Sequence, residues 1–182
     1  WSAVQHGGGD GQAQAIRLPD AAGLPRWLLV QPLDAAAPPL APMPLAAWQW
    51  LEVQSGVARI VAATSEQFVP QMVNFELVGG VNFQKGCYPG QEIVARSQYR
   101  GTLKRRMQLM ASSGPLQPGQ DVFHSADPEQ PAGMVVLAAP DAAGQWSALV
   151  ELKLALLVQP GTFSAGGAVL GAGTLPYAIP AD

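Results

Sequence analysis

Twenty glycines and seventeen prolines interrupt every apolar stretch of this 182-residue chain, and that punctuation limits what its hydrophobic residues can build. No run of about 18 consecutive apolar residues survives, so a transmembrane helix is not expected. Beyond Gly101 the breaks come at short intervals and leave strand-like runs at 106–111, 120–123, 133–138, 147–157 and 166–170. Short strands at that spacing predict a small antiparallel barrel or sandwich. A domain boundary is placed near 102, dividing an α+β part, 1–101, from a β-barrel part, 102–182.

The first part reads differently. Two strand-like runs, 1–4 and 15–18, flank a glycine-rich stretch, 7–11, and predict a hairpin; 26–30 is a further strand. Residues 34–44 hold four prolines and four alanines and predict an extended surface segment. Leu45, Trp48 and Leu51 then recur at helical spacing up to Gly56, a residue suited to a C-terminal cap, which predicts a helix over 45–55. Trp48 and Trp50 are two apart and cannot share a face. Trp48 shares the stripe of Leu45 and Leu51 expected to face the sheet. The chain opens on Trp1-Ser2-Ala3-Val4-Gln5 directly in strand-like sequence, an opening that predicts the interior of a longer protein.

The densest cluster of glycine, cation and amide is Lys85-Gly86-Cys87-Tyr88-Pro89-Gly90-Gln91-Glu92-Ile93-Val94-Ala95-Arg96, and it holds the one cysteine. A single thiol excludes an internal disulfide and suits a reducing compartment, most simply the cytoplasm. Val81-Asn82-Phe83 alternates like a strand leading into the run, Pro89-Gly90 fits the centre of a type II turn, and 91–98 predicts a short helix with Glu92 and Arg96 four apart on one face. Lys85 beside Cys87 favours the thiolate, which makes Cys87 a candidate nucleophile or redox thiol. Residue types alone leave a buried apolar cysteine open as the other reading.

That run, preceded by Pro70-Gln71-x-x-Asn74 and Gly79-Gly80-Val81-x-Phe83, resembles the signature of the YgfZ-type folate-binding proteins, relatives of the glycine-cleavage T-protein, aminomethyltransferase. The resemblance covers about residues 68–106. It implies a folate-binding α+β fold with a C-terminal barrel, tetrahydrofolate as ligand, and a part in the assembly or maintenance of iron–sulfur proteins and in the tRNA modification that depends on them. It also implies an N-terminal portion, helping to enclose the folate, that this chain lacks. Lys85, Cys87, Tyr88, Gln91, Glu92 and Arg96 match the family motif directly. Cys87 and Lys85 are the candidate reactive pair; Tyr88, Gln91, Glu92 and Arg96, with Trp48 as a stacking partner for a flat pterin, are the candidate folate residues.

Two other functions stay open. One is an aminomethyltransferase passing a one-carbon unit to tetrahydrofolate, a chemistry that needs no cysteine. The other is a tRNA-binding module. Six of the ten Lys and Arg lie between 85 and 106, where Glu92 is the one acid, in a chain whose net charge is -3. Such a segment suits an anion, whether a folate carboxylate or RNA phosphate. His6 and His124 are too few and too isolated for a metal site, and without a second cysteine the chain cannot ligate an iron–sulfur cluster alone.

Overall fold

The structure is a computed structural model that describes residues 3–5, 13–86, 89–99 and 103–180. Strands β1 (Ala3–Gln5), β2 (Gln14–Ala21) and β3 (Leu24–Val30) form an antiparallel sheet in that order. The expected pairing of the first two strands is therefore present, and the glycine-rich 7–11 stretch between them lies outside the described residues. β2 and β3 are joined through Ala22 and Gly23, both at positive φ (50° and 74°), as a two-residue type I′ hairpin requires.

Helix α1 (Leu45–Gln54) follows the proline-rich segment, which is irregular and exposed as its composition implied. Leu45 is 70% exposed whereas Leu51 is 5% exposed and Val53 fully buried, so the expected stripe faces inward at Leu51 but not at its first residue. Trp50 packs on the core with Val53. Trp48 is half buried and meets the sheet through Arg26, the buried residue of β3, whose guanidinium lies 5.2 Å from the indole centroid while its Nε donates to Pro19 O at 3.0 Å. Burial lowers the Arg26 pKa, and the fields of Glu52 and Asp20 oppose that shift.

Between α1 and the barrel the chain makes a 3₁₀ turn at Ala62–Thr64, a second at Pro70–Val73, and helix α2 (Gln91–Tyr99). The strand expected at 81–83 is absent. Gly79, at φ +74°, and Gly80, whose amide donates to Phe75 O at 2.8 Å, close residues 75–80 on themselves, and a Cβ on Gly80 would stand 2.3 Å from the Phe75 ring. With no strand among the described residues paired to it, 81–86 runs as irregular chain.

Strands β4 (Arg105–Ser112), β5 (Asp121–His124), β6 (Asp127–Pro140), β7 (Trp146–Lys153), β8 (Phe163–Ala165) and β9 (Ala168–Ala172) close a barrel in the order β4-β7-β6-β5-β8-β9. The run expected as one strand over 147–157 stops at Lys153 and turns into the short helix α3 (Leu154–Leu157), and β8 went unforeseen. β6 begins six residues before the expected run. Pro128 and Pro131 lie in its exposed half, where register shifts against β5 leave room for residues that donate no ladder hydrogen bond.

Strand alternation explains why β7 is buried almost throughout. Ala148, Val150 and Leu152 point into the barrel with Val122, Val135 and Phe163. Leu149 points outward into a second core, where Met107, Leu109 and Val136 of the barrel meet Val53, Ala58 and Val73. A bulge between Val135 and Leu137 puts both Val136 and Leu137 on that outer face. The outer core seats α1 and the Pro70–Val73 turn on the barrel, so the two halves of the chain share buried surface.

Candidate functional site

Helix α2, which carries Gln91 to Arg96 of the motif, is positioned by a stack of supports. α2 rests on the Pro70–Val73 turn, and that turn rests on β4. Gln71, fully buried, donates from Nε2 to Val94 O of α2 at 2.8 Å. Arg106, buried on β4, donates to Gln71 O at 3.1 Å and pairs with Glu76. Asn74 ends the turn at φ +59°, a left-handed conformation Asn tolerates better than most residues, and donates from Nδ2 to Met107 O at 2.8 Å. The same amide reaches Tyr177 Oη at 3.3 Å, and Tyr177 donates to Gly56 O at 2.6 Å, tying the C-terminal segment to the end of α1. Burial raises the Tyr177 pKa, offset in part by the Asn74 hydrogen bond.

Pro70-Gln71-x-x-Asn74, quoted above for its family likeness, is thus the hinge that fixes α2. Glu76, Arg106 and Tyr177 complete it. Sequence reading gives Glu76 and Tyr177 no role and counts Arg106 among the cations of the anion-binding segment, because their partners lie between 30 and 121 positions away along the chain. A Pro-x-x-x-Asn run ending in a turn was the available signal.

Cys87 and Tyr88 lie outside the described residues. On either side of them the chain is exposed: 82–86 before, Pro89 and Gly90 after. Gly90 stands at φ +81°, the value the third residue of a type II turn takes, as Pro89-Gly90 predicted. Lys85 is exposed, Gln91 half buried, and Glu92 and Arg96 exposed on α2. No ion pair joins Glu92 to Arg96 among the described residues, so their spacing does not brace the helix. Phe83 and Tyr99 meet edge to face at 6.0 Å, closing the irregular 81–86 segment against the end of α2. Trp48 is carried separately: α1 packs on β6 and β7, whereas α2 stands on the Pro70–Val73 turn.

The basic segment is less free than its charge count suggested. Arg105 holds Glu151 through both carboxylate oxygens, at 3.0 and 2.8 Å, and Arg106 is buried against Glu76. Arg100 lies outside the described residues. Arg96 and Lys104 remain as exposed cations with no ion pair among the described residues. Glu151 itself is almost fully buried, and burial raises its pKa against the pull of Arg105.

No helix among the described residues is long and apolar enough to cross a membrane. No family model matches the chain. Over 79 residues it is 44% identical to the tRNA-modifying protein YgfZ of Cronobacter sakazakii, a match covering 42% of this chain and 24% of that protein. The chain therefore corresponds to about a quarter of the relative's length, and the YgfZ-type likeness drawn from the motif is upheld by it.

Proposed function

We propose that this YgfZ-like chain serves tRNA modification, as a tetrahydrofolate-binding accessory factor for the iron–sulfur proteins involved, in the cytoplasm, with Cys87 as its working thiol. The observation that carries the reading is the 44% identity to a protein named as tRNA-modifying. The placement of the motif supports it. The described chain at 82–86 and at Pro89 and Gly90 is exposed, and a buried polar lock lies beneath α2, an arrangement firmly supported yet open to a partner.

Tetrahydrofolate, when bound, supplies a carrier for one-carbon units. A half-buried indole already facing a guanidinium fits a flat ring with an anionic tail, so Trp48 would stack on the pterin. Arg96 and Lys104 would hold the carboxylates as exposed cations, and Gln91 would supply a side-chain amide. Lys85 would keep the Cys87 thiolate populated.

The test is the modified-nucleoside profile of total tRNA, read by mass spectrometry, from cells whose gene for this protein has been deleted. Loss of one or more modified nucleosides, restored on re-expression, is the expected result. An unchanged profile overturns the proposal. Tryptophan quenching by tetrahydrofolate, present in the wild type and weakened in Trp48→Ala, checks the folate part separately.

A further inference from the structure

A cleft of about 340 Å³ opens between α1, through Gln49, and the barrel. The chain leaving α1 forms one wall, with Arg59 and Val61, and the turn at 116–118 and the end of β6 form the other. The walls are held in place. Gly119 donates to Val135 O at 2.8 Å and Val135 to Gln120 O at 2.9 Å, which pins the turn to β6. Gly119, at φ +85°, lies so near the Ala62–Thr64 turn that a Cβ there would stand 2.9 Å from Ala63 O. This close approach fixes the spacing of the two walls.

Four polar side chains line this cleft. Arg59 is steered by Glu52, whose Oε2 lies 3.0 Å from its Nη2, and the rest of its fork of donors is unengaged among the described residues. Gln49, Gln117 and the indole N–H of Trp146 likewise have no side-chain hydrogen bond among the described residues. Buried Leu116 and Leu137 supply an apolar floor. A flat indole, two amides that each donate and accept, and one anchored guanidinium suit a planar heteroaromatic ring carrying an anionic group. At the small end of the usual range for ligand cavities, about 300–1,000 Å³, the cleft suits one such unit.

We infer that this cleft binds a single nucleotide, with the base against Trp146, its edge read by Gln49 and Gln117, and the phosphate on Arg59. The nucleotide is either free or an unpaired residue of an RNA. The second source rests on the tRNA reading above, and the first does not.

The experiment follows the indole N–H resonances of the whole chain by NMR, with Trp146→Phe assigning the relevant one. AMP, GMP, CMP and UMP, inorganic phosphate, 5-formyltetrahydrofolate and unfractionated tRNA are added in separate titrations. A saturable shift of the Trp146 signal with at least one mononucleotide is expected. Arg59→Ala should weaken it about tenfold or more, as loss of a charge-assisted hydrogen bond does. Gln117→Ala, at an exposed position, should weaken it with the fold intact. A response to tRNA alone, lost in Arg59→Ala, assigns the RNA-borne nucleotide. No Trp146 response to any nucleotide or to tRNA overturns the inference, as does a response confined to the folate or one indifferent to Arg59→Ala. A mononucleotide response in a protein whose deletion leaves tRNA unchanged would retain this site while removing the tRNA reading.

Discussion

Glu151 shows how one buried charge leaves a measurable mark. Its carboxylate is almost fully enclosed on the outer face of β7, and Arg105, itself partly exposed, grips both oxygens. Desolvation is the larger effect and raises the pKa; the Arg105 hydrogen bond and charge oppose it. The folded protein then holds this proton more tightly than the unfolded chain. Its contribution to stability is present below the ordinary glutamate value, about 4.3, and declines as pH rises from there through the raised value. Glu151→Gln cannot titrate. Subtracting the variant's unfolding free energy from that of the wild type, by urea denaturation from pH 4 to 7, should give a difference that falls with rising pH. A difference that rises across that window would show that Arg105 outweighs burial.

Among the elements, β6 and β7 pair from Gly133 to Pro140, and a glycine permits their close approach. Gly133 pairs with Leu152, and a Cβ on it would stand 1.8 Å from Glu151 O, a backbone atom that moves only with its strand. Gly133→Ala should therefore destabilise the protein by about 3 kcal/mol, the upper part of the range for overpacking. Gly171→Ala, on β9 where an added Cβ meets nothing within 4 Å, should leave stability nearly unchanged. Thermal or urea unfolding of the two variants measures the contrast; equal effects would refute the close-approach argument. Punctuation by Pro and Gly made most barrel strands legible, because turns are local. What stayed hidden was set by distant partners. The strand expected at 81–83 found none, β6 extended through its prolines by bulging, and the face of α1 was decided by a barrel core that lies many residues further on. The polar lock of Gln71, Asn74, Arg106 and Tyr177 was illegible as a unit for the same reason, although two of its members stand in the motif that carried the family likeness.

At the scale of the whole molecule, the barrel is a base and the α+β part is what it presents. The outer core shared by Val53, Val73, Met107 and Leu149 fixes α1 and the Pro70–Val73 turn to the barrel wall, and the buried lock passes that rigidity to α2. The Gln91–Arg96 part of the motif is thereby offered on a firm support, and the described chain at 82–86 and at Pro89 and Gly90 is exposed. Our central claim is that the run from Lys85 to Arg96 carries the activity in tRNA modification. The most direct test is the modified-nucleoside profile of tRNA from deletion cells re-expressing the wild type, Cys87→Ala or Arg96→Ala at matched protein abundance and matched melting temperature. The wild type should restore the profile, Cys87→Ala should leave it at the deletion level, and Arg96→Ala should restore it in part. Full restoration by Cys87→Ala would contradict the account.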